Sequence, residues 1–242
     1  MNKTLKFLWI NFLWFLFSIP VITIGGATSA AIYVSLKLAG KDNLSADDSL
    51  SAKELFKLFF KSFKENFLQG IAALIFSAIT MGLTGFVWYK IIDNDIYNIF
   101  ILFIVVICTL VIVSMNCYVY SMIAHYKNSF VNFMKNSVAV TFTFYKWSLK
   151  MSFFVILELC VLAFLFWLNP FAGIISLIFW PSTIFFAVSN YSAKTFYQLE
   201  NPPVYEEDAE EELDASFGNS NLKTDKEKGE AIVANLRSKL GN

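Results

Sequence analysis

Histidine is nearly missing from this sequence: His125 is the only one among 242 residues. Without a second imidazole, or a cysteine at a matching spacing, no ligand set for a metal ion assembles. His125 is expected at headgroup level, at the end of an apolar run. Cysteine is scarce as well. Cys108, Cys117 and Cys160 all fall inside apolar runs, and an odd number of such thiols argues against a disulfide framework. They are read as small apolar side chains. No G-x-x-x-x-G-K-[ST], G-x-S-x-G or H-E-x-x-H pattern occurs, so neither nucleotide-driven transport by the chain alone nor the common hydrolase chemistries are indicated. No catalytic residue, cofactor or metal is expected, and the chain is read as a non-enzyme.

Charge is the other shortage. Only 16% of the residues are charged, against 57% hydrophobic, whereas soluble domains average roughly 25% charged. Phenylalanine alone accounts for 27 residues. A soluble fold would leave much of that surface in water, so the expected class is an all-α integral membrane protein. The zero net charge conceals an asymmetry. Residues 1–199 hold 14 Lys/Arg and 8 Asp/Glu, whereas residues 200–242 hold 5 and 11. The basic part is the apolar part; the acidic part is a tail.

A membrane span needs about 20 apolar residues. Phe67–Tyr89, Ile96–Ala124 and Phe171–Ala193 meet this with no charged residue, the last with Trp180-Pro181 near its middle. Trp147–Leu168 carries Lys150 near one end and Glu158 near its centre. Each must close its own backbone hydrogen bonds, so each is expected to be helical. The first apolar segment is interrupted. Leu5–Ile19 is short for a span, and Pro20 and Gly25-Gly26 break the run before Ala27–Ala39. The Lys3, Lys6, apolar run and "ATSA" read as a first membrane element rather than a cleaved leader.

Lysine placement arbitrates the topology, because lysines concentrate on the cytoplasmic side. Lys3 and Lys6 precede the break, and Lys37 and Lys41 follow it. A broken or re-entrant hairpin keeps both pairs on one side. Residues 40–66 and 125–150 are then cytoplasmic, Asp93 and Asp95 are outside, and both termini are inside. The expected architecture is a bundle of about six hydrophobic segments over residues 1–199, multi-pass in the cell membrane. At the break, Gly25 and Gly26 offer backbone freedom for the reversal, and Pro20 withholds an N–H.

Two stretches have the pattern of interfacial helices. In "SAKELFKLFFKSFKENF", Ser51 and Glu54 form a capping box. Phe59, Phe60 and Phe63 share one face, and Lys57, Lys61 and Lys64 the other, as in a helix lying against the membrane surface. "KNSFVNFMKNSVAVTFTFYKW" is the second. A short likeness between Phe56–Ser62 and Phe130–Asn136 is read as convergence of two amphipathic elements rather than duplication. Membrane lipid is therefore an expected partner; nucleic acid is not, because these lysines lie against the membrane. Residues 200–242 are expected to be largely disordered. A short helix follows at about 225–240, capped by Thr224 and Glu227.

The opening stretch resembles the YesL-like membrane proteins, a bacterial family of undefined molecular function. The resemblance rests on Asn11, Trp14, Pro20, Thr23, Gly25, Ala27, Ala30 and Ala31, and continues in Phe60, Phe63, Asn66 and Phe67. Similar element order runs to about residue 195. Gly26 stands where the family pattern has Pro, and the acidic tail lies outside the resemblance. What the resemblance implies is an accessory protein associated with carbohydrate importers of the ATP-binding-cassette type; it names no substrate and no functional residue.

Candidate cavity or partner-contact residues are Asn11, Trp14, Pro20, Thr23, Gly25, Gly26 and Thr28 around the first break, Trp180 and Pro181 at a second, and Asn116 and Glu158 in the spans. Polar side chains at a break satisfy backbone groups that Pro and Gly release, or line a ligand cavity as in transporters. Glu158 is the one carboxylate well inside a span, where an acid marks function or holds helices together; Asn116 and Ser114 are possible partners. Two functions are carried forward. The first is an accessory or scaffold subunit of a transporter, expected to be a carbohydrate importer. The second is a self-sufficient small-molecule transporter or channel with a cavity at the broken helices.

Overall fold

The computed structural model describes residues 3–39, 50–177 and 179–201, together with Glu230, Val233 and Ala234. Among these residues the protein is entirely helical, with no strand. The helices are α1 (Lys3–Ser18), α2 (Ile24–Ala39), α3 (Ala52–Glu65), α4 (Phe67–Asp93), α5 (Ile99–His125), α6 (Phe130–Thr143), α7 (Tyr145–Leu168), α8 (Pro170–Leu177) and α9 (Trp180–Glu200). Most of the acidic tail lies outside the described residues. Of the helix expected near 225–240, only Glu230, Val233 and Ala234 are described, and these are helical.

Local sequence sets several boundaries. Ser51 caps α3: its backbone N–H donates to Glu54 Oε2 at 2.8 Å, and its hydroxyl accepts from the Glu54 N–H at 3.4 Å. The reciprocal bonds satisfy two orphan donors of the first turn. Asn98 starts α5 by accepting from the Phe100 and Ile101 N–H groups. Asp95, at φ 51°, makes the tight turn between α4 and α5; Asp tolerates this left-handed conformation better than bulkier residues.

Among the described residues, four stretches are long and apolar enough to cross a membrane: Val21–Ala39, Phe67–Asp93, Ile99–His125 and Tyr145–Leu168. The expected span Phe171–Ala193 is divided. Helices α8 and α9 meet at 48° just before Trp180, and counting the pair as one broken span makes five. Pro181 sits in the first turn of α9, where its missing N–H leaves no helix bond unmade.

The first break also differs from the sequence expectation. The chain reverses at Ile19–Thr23, through a 3-10 turn over Val21–Thr23 that follows Pro20. Gly25 and Gly26 are not in the turn. They lie inside α2 and are buried. Neither needs a left-handed backbone. Their role is packing, because α2 is the centre of the molecule, touching α1, α3, α4, α5 and α9.

Burial is uneven along the helices. The buried positions of α5 all fall between Val113 and Ala124, and those of α7 are Ser148, Met151, Ser152 and Val155. The dense core therefore gathers where α5 ends and α7 begins. Lys6, Ile10 and Leu13 of α1 are buried too, on a helix that packs against α2, α3 and α9. Away from the core, Leu83, Phe86, Phe103, Ile104 and Phe164 are exposed, as expected of helices whose solvent is lipid.

Candidate functional site

The residues gathered at the first break are held by α1, α2 and α4. The indole Nε1 of Trp14 donates to Thr28 Oγ1 at 3.0 Å, tying α1 to α2 across the turn. The Trp14 ring also packs edge-on against Phe185 of α9, with centroids 5.7 Å apart. Thr23 Oγ1 lies 2.5 Å from the Phe17 carbonyl oxygen and 2.6 Å from that of Pro20. Its hydroxyl thus sits between two carbonyls at the break, of which that of Pro20 also accepts from the Thr23 N–H at 2.8 Å. Asn11 is fully buried on α1. Of these polar residues, Thr23 is the one that bonds main-chain carbonyls beside the break.

Gly25 and Gly26 meet α4 and α3. A Cβ on Gly25 would overlap the carbonyl oxygen of Gly70 and come within 2.6 Å of its carbon. A Cβ on Gly70 would come within 2.6 Å of the Gly26 Cα. Backbones approach this closely only where side chains are absent. Gly70 was not singled out from sequence. Its signal was weak, because the same span also holds Ala72, Ala73, Ala78, Gly82 and Gly85.

Helix α3 turns its aromatic face inward. Phe17 of α1 sits among Phe56, Phe59, Phe60 and Phe63, with centroids 5.0–6.4 Å away. Phe59, expected at the membrane surface, is fully buried, and Phe63 is half-buried against Phe67. The reason is that α1 and α2 supply a closer apolar partner than lipid. Phe60 stays partly exposed, and Lys57, Lys61 and Lys64 are on the outer face.

Glu158 is held by a helix other than the one expected. Its Oε2 lies 2.9 Å from Thr183 Oγ1 on α9, not beside Asn116 or Ser114. Thr183 Oγ1 is also 2.7 Å from the Trp180 carbonyl oxygen. The Thr183 hydroxyl donates, joining the middle of α7 to the first turn of α9. The structure thus brings Glu158, Trp180 and Pro181 to one place at the α8–α9 bend. Asn116 is elsewhere: its Nδ2 donates to Ile112 O at 2.8 Å and Thr80 Oγ1 at 3.1 Å, joining α5 to α4.

Between α5, α7 and α9 runs a cluster of hydroxyls that the sequence reading did not assemble. Ser114 Oγ bonds Ser152 Oγ at 3.0 Å. Tyr118 OH bonds Thr195 Oγ1 at 3.0 Å and accepts from Ser148 Oγ at 3.3 Å. Ser192 donates to Ser121 at 2.8 Å. Small hydroxyl residues let these helices approach and hydrogen-bond where little else competes. His125, expected at a helix end, has specific company: its Nε2 is 3.2 Å from Glu200 Oε1, which also accepts from Tyr126 OH at 2.9 Å. Glu200 therefore belongs with the bundle rather than the tail. Among the described residues, no group of three or more His, Cys, Asp or Glu is placed to hold a metal ion.

This is a polytopic bundle of apolar helices, with a fused helix hairpin at its core and a carboxylate inside a span. Residues 7–89 match the family model described as a protein of unknown function, DUF624. The match covers most of α1, the break, α2, α3 and most of α4, and so includes the Gly25–Gly70 contact. The YesL-like proteins fall within that family. No curated protein and no solved structure matches the chain.

Proposed function

We propose that the protein is an accessory or scaffold subunit of a membrane transporter, with a carbohydrate importer of the ATP-binding-cassette type as its partner. One observation carries the reading. In the most apolar stretch of the first span, 61% of residues are buried inside the protein, against 11% in α4 and 17% each in α5 and α7. A tightly built core anchors helices whose apolar sides stay open to neighbours in the membrane. That is a subunit's design more than that of a chain enclosing its own path. The importer as partner rests on the family resemblance alone.

Purification from a mild detergent, with importer permease subunits co-expressed, tests it. A stoichiometric complex supports the proposal; a lone homogeneous protein whose melting responds to a sugar refutes it. That second outcome is the signature of the alternative, a self-sufficient transporter, which the Glu158–Thr183 pair beside the α8–α9 bend favours.

In the same proposal both termini and the lysine-rich end face the cytoplasm of a multi-pass protein, and α3 presents Lys57, Lys61 and Lys64 to that membrane surface. The support is the lysine distribution. Single cysteines at Ser45 and Asn94 of a Cys-free variant check it. Labelling of Asn94→Cys alone by an impermeant thiol reagent in intact cells is expected; labelling of Ser45→Cys alone overturns it.

A further inference from the structure

Helix α7 carries Trp147 near its start and Trp167 near its end. Twenty residues separate them, about 30 Å at 1.5 Å per residue, the thickness of a hydrocarbon core. Tryptophans at that separation mark the two membrane interfaces. Trp147 is not a solitary anchor. Lys150 Nζ lies 5.1 Å from the centre of its ring and Lys194 Nζ, from α9, lies 4.8 Å from it. Lys194 also stands 5.6 Å over the ring of Tyr191. The indole Nε1 donates to Gln198 Oε1 at 3.1 Å, which fixes the ring between the two helices.

Two ammonium groups thus converge on one indole, and neither has a carboxylate partner among the described residues. The nearest acid on α9 in sequence, Glu200, is engaged by His125 and Tyr126 on α5. Like charges gathered without a counter-ion at a membrane interface call for an anion. Beyond them, Phe154, Leu157 and Val161 follow Lys150 at helical spacing on one side of α7. Leu157 is 48% exposed and Val161 40%. An apolar strip therefore leads from the lysines towards the middle of the span.

We propose that the α7–α9 seam at Trp147 is a binding site for an anionic phospholipid, its phosphate held by Lys150 and Lys194, its headgroup at Trp147 and an acyl chain along Leu157 and Val161. Basic pockets between helices at this depth take anionic headgroups. Two lysines from two helices sharing one ring distinguish the site from α3, where Lys64 stands alone over Phe60 at 5.3 Å. There Lys61 pairs with Glu65 at 3.9 Å, and the side chains stand on an open helix face.

The experiment uses the full chain in detergent, with phosphatidylglycerol or phosphatidylcholine of the same acyl chains added. Melting temperature and bound lipid, counted by native mass spectrometry, are read together. Phosphatidylglycerol should bind and raise the melting temperature more than phosphatidylcholine. Lys150→Gln with Lys194→Gln should weaken phosphatidylglycerol by about 25-fold, taking each lysine at its usual interfacial contribution. Lys57→Gln with Lys61→Gln and Lys64→Gln should leave that preference in place. Equal loss in both variants, or no loss in the first, overturns the site in favour of general surface charge. Ending the chain after Asn201 should change nothing. If that truncation alone unmasks phosphatidylglycerol binding, the acidic tail is the occupant and the proposal fails. Should the lysine variant not fold, quenching of wild-type fluorescence by brominated phosphatidylglycerol decides. The excess over brominated phosphatidylcholine must disappear in Trp147→Phe, and its persistence refutes the site.

Discussion

Replacing Gly25 by alanine adds one methyl group at the tightest point between α2 and α4. The new Cβ would overlap the Gly70 carbonyl oxygen, sit 2.6 Å from the Gly70 carbonyl carbon and 3.1 Å from Leu74 Cβ. The first two obstacles are backbone, so no rotamer change relieves them. The helices must separate by more than an ångström, which loosens contacts along the whole α2–α4 seam. Overpacking of this kind costs about 3 kcal/mol, at the upper end of the usual range. Gly26→Ala is tight only against the Phe63 ring, at 3.3 Å, which can yield; Phe67 Cα, at 3.6 Å, is in ordinary contact. With the gain in helix propensity, its net change should lie within about 1 kcal/mol of zero. Gly70→Ala should behave like Gly25→Ala. Because both methyl groups strain one contact, the double variant should cost less than the sum of the singles. Gly82→Ala provides the control: nothing lies within 4 Å of its Cβ, so it should be neutral or stabilising. Thermal melting of the purified chain in one detergent, across all five variants, reads the series. Wild-type melting for Gly25→Ala, or equal losses at Gly25 and Gly26, would refute close backbone packing as the reason for these glycines.

Other substitutions address the hairpin and the tail. Trp14→Phe and Thr28→Val each remove the 3.0 Å bond across the break and should each cost about 1 kcal/mol. The double variant should cost little more than the worse single in a melting or denaturant cycle; strict additivity would show that the bond contributes nothing. Ending the chain after Asn201 should leave the melting temperature unchanged. Ending it after Leu199 should lower stability by about 1–2 kcal/mol, because it removes Glu200 from His125 and Tyr126. Equal melting of the two truncations would mean that this cluster is dispensable.

Helical class and element order were legible in the sequence because they depend on local chemistry. Long runs without charge can satisfy their backbone in a membrane only as helices, so α4, α5 and α7 appear close to where the runs do. The Ser51–Glu54 box acts over three residues and forms as expected. Pro20 marked a break because a missing N–H is a property of one residue. What the sequence could not settle is which residues meet across distance. Gly25 looked like a hinge, and its partner 45 positions on made it a packing site instead. Phe59 and Phe60 are adjacent and alike, and Phe17 touches both rings; the packing of α3 against α1 and α2 decides that the first is buried and the second partly exposed. Glu158 had two candidate partners, Asn116 and Ser114, and the α8–α9 bend supplied Thr183 instead. Lys194 attracted no notice until α9 laid it against Trp147. Propensity and periodicity are sums over neighbours in the chain, whereas these pairings arise from the placement of whole helices, which the packing of α2 against five others determines.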